Sequence, residues 1–441
     1  MKTLNITLAC LIVITTSISL NAQSYIGHSI DNYAGIHSLI SNPSNVVDSG
    51  FKADINLISV SGFGGSDYFG INVSDILNSE GGFDFESDSN KYPTDENNFF
   101  ANADIIGPSF MFNLSPKSSI GIVSRVRAFL NINNISGELY ESISDNFDIN
   151  EDFDFNSKDL TGTIHAWAEI GLVYGRTLVN KNTNFLKAGI TLKYLQGAGS
   201  VFLNSPNFTG QYTASNKELT TTGELTYGNS QDFDNNDITF ENLSAGYGAD
   251  IGFTYEYRPN TIQDSLSKNK NKYKLKIGAS ITDIGSINYK ESVVTIYDLN
   301  KTVDATNYNE DTQQFLEDNY TGVESTLAQD IKLPTAFHLL IDYRLRKRIY
   351  ISLLSNLSLI KSNTENANTS INSVTLAPRL ETKLFSLYSP ISIRQYGEFA
   401  WGGGIRLGPL TVGSGSILSN LISDSSKTTD VFVGLKIPIY Q

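Results

Sequence analysis

The sequence predicts an all-β fold, a transmembrane antiparallel β-barrel of about 14 strands preceded by a segment that does not alternate. Three observations carry this. Apolar and polar side chains alternate with period two through most of the chain, the mark of strands with two unlike faces. The alternating runs approach the ~9–11 residues that a tilted strand needs to cross a bilayer, whereas an ordinary soluble strand takes ~5–6. An apolar leader opens the chain.

In the leader, Lys2 precedes the apolar run Leu8–Ile14, and Ala22 stands at a cleavable position. Residues 1–22 therefore read as a secretory signal peptide for the Sec pathway. The chain's single cysteine, Cys10, lies within it. What remains can form neither a disulfide framework nor a thiolate metal site. No later stretch approaches the ~18 apolar residues of a membrane helix. The destination expected is the outer membrane of a Gram-negative bacterium.

Residues 23–50 do not alternate, and Ser41-Asn42-Pro43-Ser44-Asn45 is turn-forming. Alternation starts at Phe51, so residues 51–441 form the barrel. In 247–258, Tyr247, Ala249, Ile251, Phe253, Tyr255 and Tyr257 oppose Asp250, Gly252, Thr254, Glu256 and Arg258. The last run sets Val431, Val433, Leu435, Ile437 and Ile439 against Gly434 and Lys436. Tyr174, Tyr194, Tyr255, Tyr257, Tyr273 and Tyr343 cap the apolar face, as an interfacial girdle does. Tight turns such as Ser115–Ser118 alternate with long polar segments, among them 133–160, 199–218 and 300–333, the asymmetry of an outer-membrane barrel. A short helix is expected within Asn309–Gln329.

The polar face is the candidate lumen. Nine cations (Arg125, Arg127, Lys187, Lys193, Lys274, Lys276, Arg344, Arg379, Arg406) meet five carboxylates (Glu169, Asp250, Glu256, Asp342, Glu381), giving a basic lumen in an acidic chain. Such a lining either guides anionic solutes or forms a lattice of ion pairs. The lattice is the favoured reading.

Nothing in the sequence asks for a catalytic residue, a cofactor or a metal. Four scattered histidines make no HExxH, and no GxSxG stands out. Acidic runs beginning at Asp84, Asp152 and Asp232 lack the glycine and glutamate of a calcium loop. With 46 acidic and 32 basic residues and a net charge of −14, the chain is unsuited to nucleic acid.

Several segments together resemble a known family: Phe51–Leu57, Gly107–Met111, Ala166–Gly171, Leu186–Leu195, Gly248–Gly252, Ile281–Gly285 and Gly434–Pro438. They look like the Bacteroidota outer-membrane barrels catalogued as domain of unknown function 5723. Asn42-Pro43-Ser44 is similar to the Asn-Pro-Ala element of FadL-like barrels, with Ser44 in place of alanine. The resemblance implies a FadL-like barrel with residues 23–50, Asn42 and Pro43 among them, folded in as a hatch. The resemblance supplies no ligand, and the function expected is a FadL-like transporter or gated pore for small hydrophobic or amphipathic solutes. The alternative is a non-transporting barrel serving a secretion or surface-attachment machine. The partners expected are outer-membrane lipid and lipopolysaccharide, with a small hydrophobic ligand under the first reading and an envelope protein under the second.

Overall fold

The computed structural model describes residues 25–72, 88–230, 244–259, 271–309, 311–396 and 398–440. The expected signal peptide and the acidic runs at 84–87 and 232–236 lie outside the described residues. So do residues 23 and 24 of the expected N-terminal segment.

That segment contains one short helix, α1 (Ile36–Leu39), and a 3-10 turn at Pro43–Val46. The wall begins with β1 (Phe51–Ser66). β2 runs Asn97–Ile106 and resumes as Ser109–Ser115 beyond Gly107-Pro108, where the proline can donate no ladder bond. β3 (Ser118–Ile135) leads into helix α2 (Gly137–Ser144). Next come β4 (Phe153–Lys181), β5 (Asn184–Thr213), β6 (Glu218–Asn229), β7 (Ser244–Tyr257) and β8 (Leu275–Asp298). Helix α3 (Thr312–Asn319) precedes β9 (Thr321–Lys332) and β10 (Ala336–Arg346). β11 (Ile349–Ser358) and β12 (Ser373–Glu381) follow. β13 is Phe385–Tyr388 with Ile391–Arg394, and β14 is Glu398–Trp401 with Gly403–Leu407. β15 (Leu410–Ser414), helix α4 (Ile417–Ile422) and β16 (Thr428–Tyr440) complete the chain.

Leaving out β6 and β9, these strands form a closed antiparallel barrel of fourteen, the number the sequence predicts. Closure is β1 against β16, from Phe51↔Tyr440 to Gly65↔Thr428. Phe51 and Tyr440 mark the proximal end, and the long connections lie at the distal end. The outward face carries exposed apolar residues such as Val60, Ile251, Phe253, Val431, Val433 and Ile437, while Asp54, Asp250, Glu256 and Lys436 turn inward and are buried.

β4 and β5 are 29 and 30 residues long, about three times a bilayer crossing. Their distal halves extend beyond the barrel as a continuation of the same sheet. β6 pairs with β5 and then with β8, and β9 pairs with the distal half of β8. Phe147, Phe155, Tyr212, Tyr297 and Phe315 pack a second core there. The sequence placed 133–160, 199–218 and 300–333 in loops, and strand occupies much of all three. These strands are rich in Thr, Ser, Asn and Gly, so period two shows little contrast. The helix expected in Asn309–Gln329 is α3, but the later part of that range is β9.

Tyr273 corrects the girdle. It is buried inside, with its hydroxyl donating to Asp342 Oδ2 at 2.6 Å. It lies before the start of β8, so the alternation of that strand does not govern its direction.

Candidate functional site: the charged lumen

Residues 25–50 pack against inward-facing side chains at the proximal end. Glycines in the wall make the space. A Cβ on Gly252 would stand 2.2 Å from Asn42 Oδ1, and one on Gly189 would stand 2.4 Å from the Pro43 carbonyl carbon. The Asn42 side chain accepts the Ser44 N–H at 3.0 Å and donates to the Phe253 carbonyl at 3.1 Å. Asn42 and Pro43 thus sit against the glycine positions of β5 and β7. Around them, Ile36 N–H donates to Asp54 Oδ2 at 2.9 Å, and Lys436 Nζ donates to the Tyr33 and Ala34 carbonyls at 2.6 and 2.8 Å. Arg406 Nε meets Asp31 Oδ2 at 2.9 Å. Lys187 Nζ donates to the Val47 carbonyl at 2.9 Å.

The charged residues fall into groups. The central one joins Arg125, Arg127, Glu169, Lys193 and Asp250. Arg125 Nη2 lies 2.7 Å from Asp104 and its Nη1 lies 3.0 Å from Glu169. Lys193 Nζ lies 2.8 Å from Asp250 and 2.6 Å from Asp283. Arg127 Nη1 approaches Asp283 Oδ1 to 2.9 Å without the angle of a hydrogen bond, and its buried Nε has no hydrogen-bond partner among the described residues. A proximal group joins Asp342, Arg379 and Glu381, with Arg379 at 2.7 Å from Asp342 and 2.9 Å from Glu381. Asn32 of the N-terminal segment donates to Glu381 Oε1 at 3.0 Å and accepts from Lys276 Nζ at 2.9 Å. Glu256 accepts from Arg258 Nε at 2.8 Å.

Two expectations need correction. Arg344 is partly exposed at the proximal rim, where its Nη1 donates to the Asn271 carbonyl at 3.0 Å rather than to a lumen carboxylate. Its position near the end of β10 carries it past the buried layer. Lys274 lies at the same rim, with its ammonium 4.4 Å from the Tyr343 ring centroid.

Nor is the lumen basic. Besides the five carboxylates anticipated, Asp31, Asp54, Asp104, Asp283 and Asp430 are buried, while Arg258, Arg394 and Lys436 join the seven buried cations among the nine anticipated. Ten buried cations therefore meet ten buried carboxylates among the described residues. Ionised groups in such a place need partners, because desolvating an unpaired charge costs several kcal/mol. Asp283 was hidden by a bulge. The ladder between β7 and β8 shifts between Ala249 and Ile251, and Asp283 takes a φ of 57°. Its N–H leaves the ladder and donates to Asp250 Oδ1 at 2.7 Å. Lys436 and Arg258 stand on polar faces that alternation did mark.

The distal connection 359–372 also folds inward. Asn131 Nδ2 donates to Thr369 Oγ1 at 2.9 Å, Thr161 Oγ1 donates to the Ser362 carbonyl at 2.8 Å, and His165 Nδ1 lies 2.8 Å from Asn368 Oδ1. Residues 25–50 and the connection 359–372 thus touch inward-facing wall residues at opposite ends of the barrel. Between the two insertions is a cavity of about 70 Å³ bordered by Ile40, Phe63, Phe100, Arg125, Arg127, Phe129, Asp283 and Ile371. Two further cavities beside residues 29–50 measure about 80 and 30 Å³.

The family model described as a family of unknown function, DUF5723, matches residues 43–415. The chain belongs to that family. No curated protein matches the chain. Among solved structures, this DUF5723 chain is similar to the Ralstonia pickettii toluene transporter TbuX, at 9% identity over 92% of this chain and 95% of that one, with a TM-score of 0.43. It is similar to the Pseudomonas putida toluene transporter TodX, at 8% identity over 96% and 98%, TM-score 0.41. A Pseudomonas aeruginosa FadL homologue matches at 8% identity over 95% and 99%, TM-score 0.42. The barrel itself is read from the strand pairing.

Proposed function

We propose that this DUF5723 chain is an outer-membrane barrel that passes small hydrophobic or amphipathic solutes when residues 25–50, acting as a hatch, move aside. The apolar outward face supports a membrane setting. The short turns at the proximal end and the long connections at the distal end support a reading in which the proximal end faces the periplasm and the distal end the outside. On this reading the outer membrane is reached through the Sec pathway.

One observation carries the solute class. The cavity bordered by Ile40 and Ile371 is lined by Phe63, Phe100 and Phe129 together with Arg125 and Arg127, the Arg127 guanidinium lying 5.0 Å from the Phe129 ring centroid. An amphipathic carboxylate places its chain among the rings and its head on the guanidinium, where Arg127 Nε has a free donor. At about 70 Å³ the cavity as it stands falls short of the roughly 300–1,000 Å³ of a ligand site. A solute enters as Ile40 of the hatch and Ile371 of the distal connection withdraw.

Trp167 makes this testable, since its ring stacks on Phe129 at 5.5 Å and lies 5.0 Å from the Arg127 guanidinium. In a Trp401→Phe background, laurate is expected to change Trp167 emission saturably, and Arg127→Gln is expected to weaken the effect at least tenfold. No saturable change, or one indifferent to Arg127→Gln, removes the reading.

The distal sheet favours a second reading, in which the barrel displays a platform for an envelope partner. A core containing Phe147, Tyr212, Tyr297 and Phe315 is more than a barrel needs to close its loops. If so, trimming the distal halves of β4 and β5 should spare laurate binding and abolish association with that partner.

A further inference from the structure

We infer that the outer wall carries a binding site for one acyl chain of an outer-leaflet lipid, at the distal ends of β16, β1, β2 and β3. The inference rests on the membrane reading above. The register puts Thr429, Gly64, Ala101 and Leu130 in one row across these strands, through the pairs Gly64↔Thr429, Gly64↔Ala101 and Ala101↔Leu130. The row belongs to the outward face. Val431 lies two residues proximal to Thr429, Ile105 lies on the same face as Ala101, and both are exposed.

The row is a floor of mostly small side chains, and a Cβ built on Gly64 meets nothing within 4 Å. Aromatic side chains from β2 and from the β1–β2 and β3–β4 connections roof it. Phe69, Phe99 and Tyr140 pack together, with Phe99 and Tyr140 centroids 4.4 Å apart. Ile71 N–H donates to the Ser426 carbonyl at 2.9 Å and joins the roof to the approach to β16.

Between floor and roof is an apolar cavity of about 340 Å³, far larger than those of the lumen. That is within the range that holds a ligand, roughly 300–1,000 Å³. What fills it follows from its surroundings. The exposed apolar side chains next along the wall have acyl chains as their solvent. The lining is mostly apolar, with Thr429 and Lys427 among its polar residues, and a lipid chain brings it the dispersion contacts that open space cannot. The occupant is therefore a chain of the adjoining leaflet, its headgroup remaining at the distal rim.

Tryptophan fluorescence in vesicles whose phospholipid chains carry mid-chain bromine tests the site. All forms carry Trp167→Phe, because Trp167 answers laurate, and Tyr140→Trp with Trp401→Phe then reports the roof. Native Trp401, outward-facing on β14, reports the general membrane contact. Bromine is expected to quench both, and Gly64→Leu, which fills the floor, is expected to cut roof quenching at least threefold without altering Trp401. Ala101→Leu does the same should Gly64→Leu fail to assemble, with heat-modifiable migration as the fold control. Roof emission untouched by bromolipid while Trp401 is quenched overturns the inference alone. Roof quenching by brominated laurate but not bromolipid also overturns it, naming a solute as occupant. Loss of quenching at Trp401 as well would remove the membrane reading beneath it.

Discussion

Arg406 Nε lies 2.9 Å from Asp31 Oδ2, and both side chains are fully shielded from solvent. The pair joins the proposed hatch to β14. Arg406→Ala leaves Asp31 buried without its cation, which costs about 3–5 kcal/mol when one partner of a buried pair is removed. Limited proteolysis within residues 25–50 should accelerate accordingly. Arg406→Met with Asp31→Leu should recover most of the protection, because the double change leaves no orphaned charge.

Gly252 is a steric prediction. Valine there meets Asn42 Oδ1, which stands 2.2 Å from the position of a Cβ. Gly252→Val should expel the Asn42-Pro43 turn while the wall still closes, giving a heat-modifiable barrel with a protease-sensitive N-terminal segment. Gly62→Ala, where a Cβ meets nothing within 4 Å, should leave cleavage unchanged. Equal protection in both variants would mean that the turn does not depend on that space.

Acid should loosen the same segment. Burial, then neighbouring His37, Lys436 and Arg406, holds His28 well below the ordinary histidine range. Burial, then Lys436, lowers His37 to about 3 against the partial relief of the Ala34 carbonyl. Between about pH 6.5 and 3 the released segment binds protons that the packed one does not, so packing weakens as pH falls. At pH 5 His37 contributes about 2 kcal/mol of that loss, and His28 acts in the same direction. Proteolysis of 25–50 should rise between pH 7.5 and 5, and His28→Asn with His37→Gln should flatten the dependence.

Much of the barrel was legible because one face of each wall strand meets an apolar environment. That makes alternation sharp at Tyr247–Arg258 and Val431–Ile439, and strand length follows from it. Asn42 and Pro43 were marked by turn chemistry. The distal sheet was not legible, since β6 and β9 are polar on faces that alternation cannot tell apart. Asp283 escaped through a bulge, and Tyr273 through lying just outside its strand. The charge balance could not be read either, because Asp31, Asp54 and Asp104 pair with cations more than twenty residues away.

The most direct test of closure by two inserted segments is single-channel conductance of the refolded barrel in a planar bilayer. The native protein is compared with a form lacking residues 25–45 and with one that also has 361–371 replaced by a tight turn. The account predicts silence from the native protein and long-lived conductance steps once both segments are gone. Silence from the doubly opened barrel, with heat-modifiable folding retained, would contradict it.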